Sequence, residues 1–306
     1  MLWHCPFLEL VRGIEPLTFR LRIECTTDCA TPANIEIIVQ FLKKVNVYVM
    51  MTSGVDIMKA LITGASAGLG AEFARQLSKM GYDLYLVARR EDRLKELSAE
   101  LNTKIEIITM DLSLEENCYK LFESLGDEKI DLLINNAGFG LFGEFSETDL
   151  EKELNMIDLN IKSLHILTKL FLKKFMEADC GRILNVASSA AFLSGPLMAT
   201  YYATKAYVLR LTDAISEELK REKSMVYIGA LCPGPVDTEF SSVAGVDFAL
   251  SGIKADYCVR YALKKMFRGK KIIIPGIIVR TGMFFQRFLP YSVLRKISFN
   301  IQRKKG

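Results

Sequence analysis

Tyr201 and Lys205 lie four residues apart in a segment whose apolar periodicity predicts a helix over 201–222. At that spacing the two side chains project from one face of the helix. An ammonium group beside a phenol stabilises the phenolate, and so lowers the tyrosine pKa from its ordinary value of about 10. The pair could therefore exchange a proton with a substrate near neutral pH.

Ser188 precedes Tyr201 by thirteen residues and directly follows a predicted strand at 182–187. A turn-forming serine, a core tyrosine and a solvated helix lysine would each be ordinary in isolation. Their combination downstream of a glycine-rich loop favours a catalytic set. No cluster of metal ligands accompanies them, so no metal is expected.

The glycine-rich loop is TGASAGLG (63–70), between a predicted strand at 59–63 and a predicted helix at 68–80. Gly64 would permit a tight turn, and Gly68 and Gly70 would let the backbone approach a pyrophosphate at the helix N-terminus. The spacing is GxxxGxG, and the alternative is a set of glycines that only turn the chain. A dinucleotide site is the favoured interpretation.

The second predicted strand ends in LVARR, with Ala88 where NAD-binding sites place an acidic partner for the ribose. Arg89, together with Arg90, would pair with a 2′-phosphate through forked, charge-assisted hydrogen bonds. NADP(H) is therefore preferred, with NAD(H) as the other possibility. Surface arginines that merely open a helix are the alternative.

The motif residues lie in a sequence whose predicted strands and helices alternate. Strands are predicted at 59–63, 83–88, 104–109, 130–134, 182–187, 225–231 and 271–274, and helices at 68–80, 91–101, 115–125, 147–177 and 201–222. The alternation predicts an α/β fold, a Rossmann-type doubly wound parallel sheet of about seven strands with helices on both faces.

In this order of motifs the sequence resembles the short-chain dehydrogenase/reductase family, in its non-extended branch of about 250 residues. The resemblance covers 58 to about 275 and is carried by TGASAGLG, DL (111–112), NNAG (135–138), Asn160, Ser188, YATK (202–205) after Tyr201, and PGPVDT (233–238).

The resemblance implies a role for each matching residue. Ser188 would hydrogen-bond the substrate carbonyl, Tyr201 would donate the proton, and Lys205 would lower the pKa of Tyr201 and hold the nicotinamide ribose. Asn160 would position a water in the proton relay. The implied cofactor-binding residues are Gly64, Ser66, Gly68, Leu69, Gly70, Arg89, Asp111, Leu112, Asn135, Ala137, Gly138, Tyr201, Lys205, Pro233, Gly234, Val236 and Thr238.

The implied activity is hydride transfer between NADP(H) and a ketone or secondary alcohol, with Tyr201 as general acid/base. One departure bears on the cofactor. Many NADP-preferring relatives carry a basic residue where this chain has Ala67, so the preference rests on Arg89. A regulatory NADPH-binding module, or an epimerase or dehydratase on the same fold, is the alternative.

Three segments are expected along the chain. Residues 1–57 do not share the strand and helix periodicity, and the hypothesis is that translation begins at Met58 or that this stretch is a flexible extension. Residues 58–275 would form the NAD(P)-binding catalytic domain, and 276–306 a basic amphipathic tail.

Composition and charge support this division. Half of the 306 residues are hydrophobic and a quarter are charged, which excludes wholesale disorder. The net charge of +4 conceals a polarised chain, because residues 257–306 contain 13 Lys and Arg and no Asp or Glu. Seven cysteines without a CxxC pair indicate reduced thiols in the cytoplasm.

The tail has apolar residues at intervals of three and four on either side of Pro290, interleaved with basic residues. This pattern predicts two short helices, whose apolar face would pack on the domain or an oligomer partner, or touch the inner membrane surface as a peripheral contact. No nucleic acid is expected. The tail resembles those of bacterial DltE-like reductases and long-chain 3-oxoacyl reductases.

Residues 239–256, which include Phe240 and Val243, would form a lid on the substrate side. Its apolar composition favours an apolar carbonyl substrate, although a loop packed over the core would look the same. A homo-oligomer is the expected assembly.

Overall fold

A computed structural model describes residues 57–245 and 252–303. The predicted extension at 1–57 lies outside the described residues except for Ile57, and so does part of the predicted lid, at 246–251.

Seven parallel strands form the central sheet, in the order β3-β2-β1-β4-β5-β6-β9. They are β1 (Lys59–Thr63), β2 (Asp83–Ala88), β3 (Ile105–Thr109), β4 (Leu132–Asn135), β5 (Arg182–Val186), β6 (Tyr227–Leu231) and β9 (Ile272–Ile273), while β7 (Val236–Asp237) and β8 (Ile253–Lys254) pair separately. The predicted doubly wound α/β sheet is thus confirmed.

Helices cover both faces of the sheet or extend beyond it. They are α1 (Gly68–Lys79), α2 (Glu91–Ala99), α3 (Glu115–Ser124), α4 (Leu150–Ile157), α5 (Leu164–Glu177), α6 (Ala199–Arg221), α7 (Phe240–Ala244), α8 (Ala255–Phe267), α9 (Ile277–Phe285) and α10 (Tyr291–Arg303). A π-helical turn, Asp158–Ser163, joins α4 to α5, and 3₁₀ turns occur at Ser189–Phe192 and Gln286–Phe288. None of the helices in the described ranges is long and apolar enough to cross a membrane.

Side chains along each strand alternate between two apolar layers, as the period of two requires. In β1, Ala60 and Ile62 join the layer formed with α1, α2 and α8, whereas Leu61 joins the layer formed with α3 and α5. Both faces are therefore covered by helices, as expected for a parallel sheet.

Helix α8 was not predicted, although the sequence carries its signal. Cys258, Val259, Ala262, Leu263 and Met266 recur at helical intervals and are all buried. The two predicted tail helices are confirmed as α9 and α10, on either side of Pro290.

A buried polar network lies between β5 and the helices behind it. The Asn185 side chain donates to Thr212 Oγ1 at 2.9 Å and accepts from Asn135 Nδ2 at 2.9 Å and from Thr168 Oγ1 at 3.3 Å. All four side chains are buried. Because buried polar groups are costly when unpaired, this network ties α5 and α6 to adjacent strands.

Asn185→Ala should lower the free energy of unfolding by about 2 kcal/mol or more, because it leaves buried partners short of hydrogen bonds. Chemical denaturation measures the loss. The exposed Asn102→Ala is the matched control and should leave stability within about 0.5 kcal/mol of wild type. Equal stability of the two variants would contradict a structural role for the network.

Candidate active site

A cavity of about 670 Å³ opens at the carboxyl ends of the parallel strands. Strands β2 and β3 are added on one side of β1, and β4, β5 and β6 on the other, so the strand order reverses there, and ligands of doubly wound folds bind at such a point. The predicted site residues that line it are Gly64, Ser66, Gly68, Leu69, Arg89, Asp111, Leu112, Ala137, Gly138, Ser188, Tyr201, Lys205, Pro233, Gly234, Val236 and Thr238. Gly70, Asn135 and Asn160 do not line it.

The conformation of the glycine loop would let a ligand come close to its backbone. Gly64 and Gly68 have positive φ, +65° and +55°, a region that side chains other than glycine rarely adopt. A Cβ on Gly70 would lie 2.2 Å from the Gly64 carbonyl oxygen, so this position also requires glycine. Helix α1 begins at Gly68 without a side-chain cap, which leaves backbone N–H groups free for a ligand.

These features fit a dinucleotide. The uncapped helix N-terminus faces the cavity, no acidic residue lies in the first turn of α1, and Arg89 and Arg90 line the same end. The described residues contain no group of three or more His, Cys, Asp or Glu side chains suited to a metal ion.

Ser188, Tyr201 and Lys205 meet at the wall of the cavity. Ser188 lies two residues beyond β5 and accepts a hydrogen bond from the Ala190 N–H at 3.1 Å. Tyr201 and Lys205 occupy the first turns of α6, and Lys205 Nζ lies 5.8 Å from the Tyr201 ring centroid. The structure thus brings together the three groups that the sequence singled out.

The pKa of Tyr201 is raised because the phenol is buried, and a hydrogen bond with Ser188 acts in the opposite direction. The spacing in the sequence predicts that Lys205 lowers this pKa. In the structure desolvation of the phenolate instead raises the pKa of Tyr201, and Lys205 Nζ donates to the Val186 carbonyl at 3.0 Å. Tyr201 is therefore protonated at neutral pH and can donate a proton.

Burial lowers the pKa of Lys205 to about 8, with an opposing effect of Cys232. The cause is the cost of keeping an ammonium group away from water. Lys205 therefore changes charge close to the physiological range.

Asn160 lies in the π-helical turn and is fully buried. Its Nδ2 donates to the Phe139 carbonyl at 2.9 Å and to Thr204 Oγ1 at 3.1 Å, and its Oδ1 accepts from the Phe139 N–H at 3.1 Å. Its side chain therefore fastens the loop after β4 to the helix that carries Tyr201. Its predicted role in positioning a water stays a prediction.

Asn135 belongs to the buried network behind the sheet, and the adjacent Asn136 takes the position at the cavity. Asn136 Nδ2 donates to the carbonyls of Thr63 and Gly64, at 3.0 and 3.1 Å, and so holds the glycine loop. The sequence could have indicated that Asn136 and not Asn135 faces the cavity, because side chains alternate along β4 and Asn135 lies on the same face as the core residue Leu133.

Two arginines follow β2. Arg89 Nη1 lies 3.5 Å from Asp111 Oδ2, and the Arg89 side chain is 62% exposed. Burial tends to raise the pKa of Asp111, but hydrogen bonds from Ser113 and the charge of Arg89 hold it below its usual value. Arg90 binds Glu239 at 3.1 Å and approaches Ser66 Oγ at 3.3 Å.

The other end of the cavity is apolar. Phe240 packs on Tyr201 with ring centroids 5.3 Å apart, and a Cβ on Gly140 would lie 2.8 Å from the Phe240 ring. Further lining residues, to which the sequence analysis assigned no role, include Phe139, Gly140, Leu141, Met198 and Tyr202. They follow β4 or flank Tyr201, and only their proximity to motif residues could have indicated them.

The comparisons agree with this geometry. The family model for short chain dehydrogenase matches residues 58–245. The chain is 34% identical over 192 residues to an uncharacterized oxidoreductase of Staphylococcus epidermidis, covering 62% of this chain and 81% of that protein. It is 30% identical to the very-long-chain 3-oxoacyl-CoA reductase of Rattus norvegicus, covering 79% and 83%.

Among solved structures, a short-chain dehydrogenase from Sphingobium yanoikuyae in complex with NADPH is 32% identical. The match covers 76% of this chain and 94% of that one, with a TM-score of 0.69. Fold, cavity and family model agree: the chain belongs to the short-chain dehydrogenase/reductase family of oxidoreductases.

Proposed function

We propose that the protein is an NADP(H)-dependent carbonyl reductase that acts on an apolar ketone, or on the corresponding secondary alcohol in reverse. The observation that carries the proposal is the convergence of Ser188, the buried Tyr201 and Lys205 at the cavity wall, with Lys205 Nζ 5.8 Å from the Tyr201 ring centroid.

Each residue has a chemical task. When bound, the nicotinamide supplies or accepts the hydride at the carbonyl carbon. Ser188 orients the carbonyl oxygen by hydrogen bonding, and the Tyr201 hydroxyl donates its proton to that oxygen, so that the alcohol forms. Lys205 places a positive charge near the phenolate that remains on Tyr201. The raised pKa of Tyr201 keeps the phenol protonated at neutral pH, which is the state that carbonyl reduction requires.

The preference for NADP(H) rests on Arg89, since Arg90 is paired with Glu239. Arg89 is exposed at the cavity and its partner Asp111 leaves much of its guanidinium accessible, so the group can meet a 2′-phosphate. The relative from Sphingobium yanoikuyae has NADPH bound, which supports the preference.

The apolar walls around Phe240 and Met198 support a substrate with little charge near its carbonyl. The name of the rat relative, a reductase of very-long-chain 3-oxoacyl-CoA, supports a lipid-like substrate class. A homo-oligomer and a cytoplasmic location stay predictions. A panel of ketones and acyl thioesters, with NADPH consumption as the measurement, would identify the substrate class.

Tyr201→Phe should reduce turnover of any ketone in that panel at least a hundredfold, because the proton donor is lost. NADPH affinity, measured by fluorescence titration, should change little. Tyr207→Phe, in the same helix but outside the cavity lining, is the matched control and should keep wild-type turnover. Wild-type turnover in Tyr201→Phe would overturn the mechanism.

Arg89→Ala should weaken NADPH binding by about tenfold or more while NADH binding changes little, because only NADPH carries the 2′-phosphate. Isothermal titration calorimetry with both cofactors measures the difference. Arg221→Ala, an exposed arginine outside the cavity lining, should affect neither. Equal losses for both cofactors would argue against the assigned preference.

Lys205 makes the stability of the unliganded protein depend on pH. Its pKa is about 8 in the folded protein and has its ordinary value of 10.5 in the unfolded chain, which therefore binds more protons between these pH values. The contribution of Lys205 to the free energy of unfolding should rise across this window, by roughly 3 kcal/mol at most, while the buried thiols of Cys232 and Cys258, whose pKa values are raised by burial, act in the opposite direction. Denaturant titrations should therefore show that the free energy of unfolding of wild type gains on that of Lys205→Met as the pH rises, whereas the difference between wild type and the exposed-site control Lys169→Met stays constant. A difference between wild type and Lys205→Met that does not change with pH would refute this account.

A further inference from the structure

The last two helices expose an unusual amount of apolar surface. We call the tail face the exposed apolar side chains of α9, the 3₁₀ turn and α10. Its members are Ile277, Ile278, Phe284, Phe285, Phe288, Leu289, Tyr291, Val293, Ile297 and Phe299. Ile278 and Phe288 are the most exposed, at 74% and 72%. Large apolar side chains that are exposed together in two consecutive helices indicate an interaction surface.

Helix α10 packs on the domain through the face that carries Ser298 and Gln302. Both residues are buried, and their side chains hydrogen-bond the Ser194 carbonyl, at 2.6 Å, and the Tyr202 hydroxyl. Leu294 lies on the same face and is half-buried, whereas Val293 and Ile297 on one flank and Phe299 on the other are exposed. These flanking apolar side chains can therefore contact something outside the domain.

The charge around the tail face has one sign. Residues 257–306 contain no Asp or Glu. Arg287, Lys296 and Arg303 form no ion pair within the described residues, and Arg295 stacks on the Tyr291 ring at 5.5 Å. Exposed aromatic side chains among unpaired cations match a bilayer with anionic headgroups.

We propose that the tail face docks on an anionic phospholipid bilayer, with its aromatic side chains in the interface and its arginines and lysines at the headgroups. A second copy of this chain fits less well, because a two-fold contact would place the same cationic patch against itself. The docking does not depend on the catalytic assignment.

The docked surface would lie beside the cavity. Tyr202, which holds α10, lines the cavity next to Tyr201. Val279 of α9 packs against Gly234, another lining residue, because a Cβ there would lie 2.6 Å from its side chain. Both tail helices thus rest on cavity walls, and a membrane-partitioned substrate would have a short path to Tyr201.

Sedimentation of the full chain with vesicles tests the proposal. Wild type should bind vesicles of equal parts phosphatidylglycerol and phosphatidylcholine, and bind pure phosphatidylcholine at least tenfold more weakly. Phe284→Ser/Phe285→Ser/Phe288→Ser and, separately, Arg287→Glu/Lys296→Glu should each lower the partition coefficient at least tenfold. Phe145→Ser, an exposed aromatic outside the tail, is the matched control and should bind as wild type does.

The tail variants should retain the wild-type unfolding midpoint and NADPH affinity, so that a loss of vesicle binding is not a loss of fold. Equal binding of wild type to both vesicle types would overturn the proposal, and so would unchanged binding of both tail variants. A wild-type chain that ignores vesicles but forms an oligomer, dissociated by the phenylalanine variant in sedimentation velocity, would assign the tail face to a second copy instead.

Discussion

The side-chain amide of Asn160 makes the contacts on which the geometry of the candidate active site depends. It satisfies both the N–H and the carbonyl of Phe139, in the loop after β4, and it donates to Thr204, one turn along α6 from Tyr201. Thr204 Oγ1 donates in turn to the Tyr201 carbonyl at 2.7 Å. A fully buried amide is costly unless every partner is in place, so the loop, the π-helical turn and α6 must adopt their positions together.

Within that frame the same physical effect acts on two opposite charges. Burial disfavours the phenolate of Tyr201 and the ammonium of Lys205, so one pKa rises and the other falls. At neutral pH the unliganded protein therefore keeps the ammonium group of Lys205 buried, and this lowers its free energy of unfolding relative to an apolar core. Sites that must develop charge during a reaction commonly have this property, and they are less stable for it.

Most of the fold could be predicted because its signals are local. The buried strands of β1 and β2, with a glycine loop between β1 and α1, follow from short apolar runs and turn chemistry. The spacing of Ser188, Tyr201 and Lys205 likewise identifies three groups of the candidate site from residue types and intervals alone.

The remaining features depend on contacts between distant segments. Which of Asn135 and Asn136 faces the cavity depends on the strand register, and the raised pKa of Tyr201 depends on burial by Phe240 and its neighbours. The periodicity of the tail predicted its two helices, but it did not predict that the face of α10 that carries Ser298 would be buried. Sequence patterns describe one segment at a time, whereas these properties arise from pairs of segments.

The bridge between Arg90 and Glu239 connects the two ends of the cavity. Arg90 lies at the glycine loop, where it also contacts Ser66, and Arg93 reinforces the bridge at 3.2 Å from Glu239. Glu239 directly precedes Phe240, the aromatic ring that covers Tyr201. A single peptide bond therefore separates Glu239, which is held at the glycine loop by Arg90, from Phe240, which packs on Tyr201.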